Sequence, residues 1–292
     1  MKTLTVFTPA YNRAHCLPRC YESMKAQTSR DFIWMVIDDG SADNTRALVE
    51  GWQRDGAVEI IYRYQENQGM HGAHNTAYAN ITTPLNVCID SDDYMPPDAV
   101  EKILRFWAEQ GSERYSGIAA LDYTGDGQVI GTLLPDVKSA THFALYNHHK
   151  ICGDKKLIYR SELTRQFPYP LFEGEKYVGL AYKYSKIDEQ YELLLLNEKV
   201  CCVEYQPDGS SNSMMRQYIR NPQGFMFIRA QAMAGPFGGV AYKFRQAVHF
   251  VSSSMFAGRP FCVHKSPKKW LTLLAWPFGL LLNIYIRIQN KK

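Results

Sequence analysis

The amino-acid sequence predicts an α/β fold built on a mostly parallel β-sheet flanked by helices. In the first half of the chain, four apolar strand-like runs alternate with four helix-like runs. That order implies parallel strands joined by right-handed crossovers. The 292 residues suffice for one large α/β domain with an appendage. The hydrophobic fraction of 46% and the charged fraction of 21% are typical of a folded globular protein.

The four predicted strands are short apolar runs bounded by polar residues. They cover residues 4–10, 32–40, 58–65 and 85–90. The helix-like stretches between and after them cover residues 15–27, a run that Ser41 or Asp43 caps, a short run at 73–79 and a run opening at Pro97. In the last run, apolar residues recur at the spacing of one helical face, at Val100, Ile103, Leu104 and Trp107.

The pattern weakens after residue 115. Strand-like runs there cover residues 116–123, 128–134, 156–163 and 199–205, and residues 177–196 read as mostly helical. The seven cysteines contain no CxxC pair, so we expect neither a zinc ribbon nor a disulfide framework. No signal peptide precedes the first strand, so we expect a cytoplasmic chain with reduced thiols.

Charge is distributed unevenly along the chain. Residues 209–292 contain twelve Lys and Arg residues and no Asp or Glu, whereas residues 1–208 hold 21 basic and 29 acidic residues. An acidic first part of the chain and a basic last part, called here the basic rear, indicate two different partners. Because long apolar runs interrupt the basic rear, a nucleic-acid partner is not expected.

The apolar run at residues 270–286 favours contact with a membrane. It has 17 residues, contains Pro277 and Gly279, and is flanked by basic residues. A spanning helix needs about 20 apolar residues. We therefore predict a broken helix lying in the interface of an anionic membrane. A helix packed on the core and a true membrane anchor are the alternatives, and residues 224–251 are read as a second interfacial pair of helices.

Two acidic clusters follow predicted strands. One is Asp38 with Asp39, and the other is the stretch 90–93, Asp-Ser-Asp-Asp. In parallel α/β sheets, ligands bind beyond the carboxyl ends of the strands. Carboxylates placed there suit Mg²⁺ or Mn²⁺, which take oxygen ligands and usually share them with substrate phosphates. The alternative is a pair of solvated acidic turns that cap the next helices.

Four stretches, in this order and at these separations, resemble a known family. They are "TPAYN", "IDDGSADNT", "NQGMHGAHN" and "IDSDDYMPPD". Together they are similar to the nucleotide-sugar domain of family 2 glycosyltransferases, which have the GT-A fold. The resemblance is strong over residues 1–110 and loose over residues 111–215.

The resemblance implies a nucleotide site at the strand ends. By it, Asp39 contacts the uracil of a UDP-sugar, and the 90–93 stretch is the DxD motif, which touches ribose and binds a divalent cation, Mn²⁺ or Mg²⁺. The cation is assigned to Asp92 and Asp93. One departure is His74, where many members carry Arg. The residues assigned to the nucleotide are Pro9, Tyr11, Asn12, Asp39, Asn75, Asp90 and Asp92.

An inverting transfer also needs a carboxylate that takes a proton from the acceptor hydroxyl. The resemblance places this base before a helix in the looser part, where Glu175 fits best. Glu173, Asp188 and Glu189 are the alternatives, as is a purely surface role for all four. The segment 205–214 resembles a flexible segment that closes over the donor.

These observations predict an inverting glycosyltransferase of cell-surface polysaccharide synthesis. Residues 1–215 form the GT-A domain, and residues 216–292 form a helical, basic region that associates with the membrane. The donor is a UDP-sugar and the acceptor a lipid-linked saccharide of polyprenyl diphosphate type. The expected location is the cytoplasmic face of the bacterial inner membrane, peripherally bound. A metal-dependent nucleotidyl- or phosphotransferase and a non-catalytic nucleotide-binding scaffold are the alternatives.

Overall fold

The computed structural model describes residues 2–204 and 214–290, and this part of the chain forms two compact units. The first unit takes residues 2–168 and 190–204, and the second takes residues 169–189 and 214–290. The observed division differs from the predicted one, 1–215 and 216–292, because residues 169–189 belong to the second unit. Most of the predicted closing segment, residues 205–213, lies outside the described residues.

Within the described residues, the first unit contains a sheet of eight strands. The strand order is β3-β2-β1-β4-β7-β5-β8-β6, and the pairs β3–β2, β2–β1, β1–β4 and β5–β8 are parallel. The remaining three pairs are antiparallel. The strands are β1 (Leu4–Ala10), β2 (Phe32–Asp38), β3 (Ile60–Tyr64), β4 (Leu85–Cys88), β5 (Tyr115–Tyr123), β6 (Ser139–Ala140), β7 (Lys155–Arg160) and β8 (Glu192–Cys202).

Helices cover both faces of this sheet, which explains why the central strands are continuous apolar runs. All seven residues of β2 and six of the seven in β1 are buried. The main core includes Leu4, Trp34, Val87 and Ile103. The helices of the first unit are α1 (Leu17–Lys25), α2 (Thr45–Asp55), α3 (Met70–Asn80), α4 (Ala99–Gln110), α5 (His142–Asn147) and α6 (Ser161–Gln166).

The first half of the chain matches the predicted order of strands and helices, and the α/β fold class is confirmed. Two later predictions are wrong. Residues 128–134 contain only an isolated bridge between Tyr123 and Val129 instead of a strand. The predicted helix over 177–196 is two elements, α7 (Ala181–Asp188) and the first half of β8. A continuous apolar run suits a helix or a buried strand equally, and pairing with β5 selects the strand.

The second unit is helical in its described residues. Besides α7 it contains α8 (Met214–Arg220), α9 (Pro222–Ala234), α10 (Val240–Phe256), a 3₁₀ turn at Cys262–Lys265, and α11 (Lys269–Gln289). The predicted helical pair over 224–251 corresponds to α9 and α10. The core that they share with α11 is formed by Met226, Met233, Ala247, Phe250 and Ala275, the last of which is in α11.

Helix α11 is unbroken across Pro277, so the predicted break is wrong. Close packing along α10 supports the helix after the proline. A Cβ at Gly279 would lie 2.5 Å from the side chain of Val251. One turn further on, the Asn283 amide donates a 3.0 Å hydrogen bond to the carbonyl of Ser252. The small and polar residues of α11 therefore fit it against its neighbour.

Helix α11 distributes its residues in the opposite way to a helix that packs on the core of a water-soluble protein, because its large apolar residues are on the exposed face. The residues it buries are mostly small or polar, namely Thr272, Ala275, Gly279, Asn283 and Ile286. The residues it exposes include Trp270, Leu273, Leu274, Phe278, Leu281, Ile284, Tyr285 and Ile288. Among the described residues, α11 is the one helix whose length and composition would allow it to cross a membrane. A contiguous exposed apolar face of this kind marks an interaction surface.

Candidate active site

The candidate site lies at one edge of the sheet, where the carboxyl ends of three strands meet. In the parallel register, Ala10 of β1 is paired with Asp38 of β2, and Phe7 of β1 is paired with Cys88 of β4. Past the strand ends, the Asp39 amide donates to the Ala10 carbonyl (2.8 Å) and the Ile89 amide to the Phe7 carbonyl (3.0 Å). The first, second and fourth motifs therefore lie side by side.

The end of β1 presents one aromatic ring to solvent and fixes the turn that follows it. Pro9 is half-buried, while the Tyr11 side chain is 51% exposed. Asn12 has a left-handed backbone with a φ of 54°. Its amide N–H donates to the Ser41 hydroxyl (2.9 Å), and its side-chain oxygen accepts from the Ala42 amide (2.8 Å). Asn12 thus joins the first motif to the second.

The two aspartates at the end of β2 are buried and hold neighbouring loops. The Asp39 carboxylate accepts hydrogen bonds from the Gln68 and Gly69 amides, both at 2.8 Å, and from the Gln65 side chain at 2.6 Å. Asp38 accepts from the Tyr62 hydroxyl at 2.6 Å. Asp39, which is predicted to contact the uracil, therefore also holds the loop before α3 in place.

The loop between β3 and α3 approaches the backbone at Gly40. Gly40 has a φ of +84°, and a Cβ there would lie 2.8 Å from the Asn67 amide nitrogen, so both the conformation and the space require glycine. In α3, Asn75 is half-buried. His74 is 1% exposed, with its ring edge-on to Phe7 at 5.1 Å. His74 therefore belongs to the packed interior.

The three aspartates of the 90–93 turn differ in their exposure to solvent. The backbone of the turn closes through a 3.0 Å bond from the Asp93 amide to the Asp90 carbonyl. Asp90 is exposed and Asp92 is half-buried. Asp93 is 4% exposed and accepts from the Glu204 amide at 3.2 Å. The Asp93 carboxylate is therefore withdrawn from solvent and engaged by the protein in this structure, and its assignment to the metal stays a prediction.

Lys156 of β7 lies beneath the turn and was not predicted as part of the site. Its ammonium lies 3.8 Å from the Asp93 carboxylate and 3.7 Å from that of Asp122. No local signal marks Lys156, because it is 63 positions from Asp93 and approaches only through the antiparallel pairing of β7 with β4 and β5.

The electrostatics of this buried triad follow from two carboxylates sharing one ammonium. Burial raises the pKa of Asp93, which Lys156 opposes and the nearby Asp90 and Asp92 carboxylates reinforce. Burial likewise raises the pKa of Asp122 to about 6. Burial by itself would lower the pKa of Lys156, but the surrounding anionic groups, Asp122 foremost, hold it well above its ordinary value. Lys156 therefore supplies the positive charge that offsets the cost of burying the Asp93 and Asp122 carboxylates.

The donor set fits a cation that is shared with a substrate. The described residues hold no group of three or more His, Cys, Asp or Glu side chains that could form a metal site by themselves. Mg²⁺, however, is usually bound through one or two carboxylates together with substrate phosphates. Asp92 and Asp90, both reachable from solvent, satisfy that smaller requirement.

The predicted base lies in the second unit, in the loop before α7. Glu175 is 8% exposed, and its two carboxylate oxygens accept 2.8 Å hydrogen bonds from the Gln223 and Gly224 amides in the first turn of α9. The alternative, Asp188, is 5% exposed at the end of α7. Glu175 is thus held rigidly by a helix N-terminus, where unpaired N–H groups attract carboxylates.

Comparison with known sequences decides the family. The glycosyl transferase family 2 profile matches residues 5–165, more than half of the chain and most of the first unit. The chain belongs to glycosyl transferase family 2. The predicted family is therefore confirmed, and the matched range includes every strand end described above. Glu175, at the start of the second unit, lies outside it.

The curated relatives of this family 2 member match it over about a third of its length. A chondroitin synthase of Escherichia coli is 38% identical over 102 residues, which are 35% of this chain and 15% of the relative. A teichoic acid poly(glycerol phosphate) polymerase of Staphylococcus epidermidis is 31% identical over 101 residues, 34% of this chain and 14% of the relative. The alignments thus span a small part of these relatives.

Solved structures share the fold of this family 2 member over nearly its whole length. TarS of S. aureus, residues 1–349 in complex with UDP-GlcNAc, has a TM-score of 0.64 and 17% identity, and the match covers 94% of this chain and 79% of that 1–349 chain. A mannosyltransferase of Pyrobaculum calidifontis in complex with GDP-Man and Mn²⁺ has a TM-score of 0.59 and 16% identity, covering 97% and 87%. At such identities the likeness supports the GT-A fold.

Proposed function

We propose that this chain is an inverting glycosyltransferase that moves a sugar from a UDP-sugar to a lipid-linked or growing saccharide during synthesis of a cell-surface polysaccharide. The observation that carries the proposal is the meeting of three motif-bearing strand ends at one edge of the sheet, with the end of β1, which Tyr11 follows, between Asp39 and the 90–93 turn. Relatives named chondroitin synthase and teichoic acid polymerase support the polysaccharide context.

The nucleoside is proposed to lie across the end of β1. The exposed ring of Tyr11 offers a stacking surface for a base. Asp39 is proposed to accept the uracil N–H, while the loop amides that it binds keep its carboxylate in one orientation. Pro9, Asn12 and Asn75 are proposed to contact the same nucleotide. A TarS structure in complex with UDP supports a uridine nucleotide.

Asp90 and Asp92 are the residues proposed to hold ribose and a divalent cation, Mn²⁺ or Mg²⁺. When bound, the cation supplies positive charge to the departing diphosphate. The protein's own contribution is to keep the 90–93 turn closed, through the backbone bond within the turn and through the buried Asp93 beneath it. The Mn²⁺ in the mannosyltransferase structure supports a metal-dependent reaction.

Glu175 is proposed as the general base, with Asp188 as the alternative. A base in an inverting transfer removes the proton of the acceptor hydroxyl as the hydroxyl attacks the anomeric carbon. A carboxylate has about four lone-pair sites, so accepting two backbone N–H groups leaves Glu175 able to accept a third donor. Those two bonds orient the carboxylate without help from flexible side chains.

A donor screen tests the proposed reaction. With Mn²⁺ present, a UDP-sugar is expected to raise the melting temperature, and GDP- and CMP-sugars are expected not to, because stabilisation grows as RT ln(1 + [L]/Kd). The matched control is Asp92→Asn, which keeps the shape of the turn and removes the charge; it should lose the Mn²⁺-dependent part of the shift. Release of UDP from the stabilising donor then reports turnover.

Two results would contradict this assignment. If every nucleotide sugar raised the melting temperature equally, Asp39 would not be the residue that recognises the uracil. Transfer of phosphate instead of sugar, followed with donors labelled separately in each group, would favour a phosphotransferase.

We further propose that the exposed apolar face of α11 lies in the interface of an anionic membrane, which places the enzyme peripherally at the cytoplasmic face of the bacterial inner membrane, beside a polyprenyl diphosphate acceptor. The inverted burial of α11 supports this proposal, since its exposed face is more apolar than its packed face. The basic rear of the chain adds attraction of about 1 kcal/mol for each Lys or Arg near the surface.

Polar substitutions on the exposed face of α11 test membrane association. The double variant Leu274→Gln, Leu281→Gln is expected to weaken vesicle binding by about a hundredfold or more, because fully burying one leucine contributes about 1.5–3 kcal/mol. The matched control changes two exposed leucines of other elements, Leu133→Gln with Leu171→Gln. Co-sedimentation with vesicles measures both. Equal binding by the two variants would refute the proposed face.

A further inference from the structure

A cleft between the starts of α10 and α11 combines positive charge with apolar surface. It has a volume of about 690 Å³ and belongs entirely to the second unit. Its polar lining comes from Lys243, Lys268 and Lys269. Its apolar lining comes from Val240, Pro267, Trp270, Leu271 and Leu274. Neither kind of lining was assigned a role by the four sequence motifs.

In the part of the chain that the structure describes, no carboxylate pairs with the lysines of the cleft. No Asp or Glu occurs anywhere in residues 209–292. Within residues 2–204 and 214–290, none of the three lysines has a carboxylate within ion-pair distance; Lys243 instead donates to the Gly235 carbonyl at 2.9 Å. Lys268 and Lys269 are exposed. Three ammonium groups at one cleft therefore favour an anionic ligand.

Backbone groups add to this charge. The cleft is lined by Gly239 and Lys268, the residues that precede α10 and α11, and neither of these two residues caps its helix with a side-chain hydrogen bond. Uncapped N–H groups at a helix start favour an anion. Gly238 shapes the entry to α10: its φ is +75°, and a Cβ there would lie 2.3 Å from the Tyr242 ring.

The apolar wall of the cleft continues into the exposed face of α11. Val240 is 76% exposed, Trp270 81% and Leu274 67%, and the exposed residues of α11 extend from Trp270 to Ile288 along the helix. A free phosphate or an acidic peptide would use the lysines and leave this wall in water. A phosphate that carries acyl chains would use both, with the chains against Trp270 and Leu274.

We propose that this cleft binds the phosphate headgroup of an anionic phospholipid of the bilayer, with the three lysines on the phosphate and the α11 face among the acyl chains. The inference rests on the proposed membrane association and makes it specific, because it names the lipid class and the residues that select it. The site would set the depth and orientation of the second unit at the membrane, with the starts of α10 and α11 at headgroup level.

The experiment compares the full chain with two charge-matched variants on vesicles of phosphatidylcholine, with and without phosphatidylglycerol. The cleft variant is Lys268→Glu with Lys269→Glu. The control is Arg259→Glu with Lys265→Glu, which makes the same change of charge in the same segment at exposed positions that do not line the cleft. The cleft variant is expected to lose about tenfold more affinity for phosphatidylglycerol vesicles than the control. Lys268→Arg with Lys269→Arg should retain binding.

Tryptophan fluorescence gives a second readout. Phosphatidylglycerol with brominated acyl chains should quench emission of the full chain, and Trp270→Phe should reduce that quenching, the remainder coming from the half-buried Trp276 of the same helix, while the buried Trp34 keeps its own emission. Equal losses by cleft and control variants would overturn the proposal, as would displacement of the vesicles by inorganic phosphate at a concentration matched to the lipid.

The outcomes separate this inference from the proposals on which it rests. If the full chain binds vesicles of both compositions equally, the headgroup site is wrong and the apolar face stands. If it binds neither, the membrane proposal fails together with the cleft. The donor screen reports on the first unit and is independent of either result.

Discussion

Glu175→Gln is expected to lower kcat by about 10²–10⁴-fold while leaving the affinity for the UDP-sugar unchanged. The magnitude is the usual contribution of a well-placed general base. Donor affinity is expected to persist, because the proposed nucleotide contacts lie in the first unit and Glu175 lies in the second. Single-turnover transfer at saturating donor, with donor binding measured separately, gives the two quantities.

The position of Glu175 requires a control for folding. Its carboxylate accepts two amides at the start of α9, so the amide side chain of glutamine will also cost about 0.5–2 kcal/mol of stability, as for a lost helix cap. Asn221→Ala loosens the same junction without touching the carboxylate, because Asn221 accepts the Lys176 amide at 2.7 Å. An equal fall of kcat in Asn221→Ala would identify Glu175 as a structural residue. A fall in Asp188→Asn alone would move the base there.

Lys156→Met is expected to destabilise the first unit by about 3–5 kcal/mol, the usual cost of removing one partner from a buried ion pair. The variant leaves Asp93 and Asp122, which are 4% and 2% exposed, without their shared counter-charge. The denaturation midpoint in urea, at an unchanged slope, measures the loss.

The matched control for this variant is Lys102→Met. Lys102 lies closer to its partners, 3.0 Å from Asp98 and 3.2 Å from Glu198, but both partner side chains are about half exposed. Exposed ion pairs contribute about 0–1 kcal/mol. If the control loses as much stability as Lys156→Met, then burial is not the cause. Adding Asp93→Asn to Lys156→Met should recover part of the loss, since it removes one of the two stranded carboxylates.

The loss in Lys156→Met should also depend on pH. A carboxyl whose folded-state pKa is raised binds a proton on folding, so its ionisation costs stability as pH rises through that pKa. Burial raises the pKa of Asp93 and Asp122, and Lys156 opposes both shifts. Removing the lysine therefore makes ionisation costlier, and the deficit should be larger at about pH 8 than at about pH 5. A deficit independent of pH would contradict this origin.

Local sequence patterns predicted the first half of the fold well, because each strand there is a short apolar run closed by a polar turn. β1, β2 and β4 have that form. The leucines at 193–196 did not reveal their state, since four apolar residues in succession suit a buried helix and a buried strand alike. Pairing of β8 with β5, more than 70 residues earlier in the chain, decided it.

The candidate site divides in the same way. Motif spacing indicated which residues gather at the sheet edge, because the carboxyl ends of neighbouring parallel strands must lie together. It did not indicate which aspartate of the 90–93 stretch turns inward. That depends on Lys156 and on the Glu204 amide, which approach from distant strands and segments. Spacing also could not show that Glu175 meets the start of α9, 48 positions later.

The sequence by itself determined the family, the order of the first four strands and helices, the acidic strand ends, and the basic, apolar character of the last 84 residues. These are properties of adjacent residues. Tertiary structure alone decided which carboxylates are buried, where Lys156 lies, and that α11 packs through Gly279 and Asn283 while exposing Trp270 and Leu274. The reason is that burial and charge pairing depend on neighbours that packing brings together. The sequence around a residue does not indicate which distant residues these neighbours are.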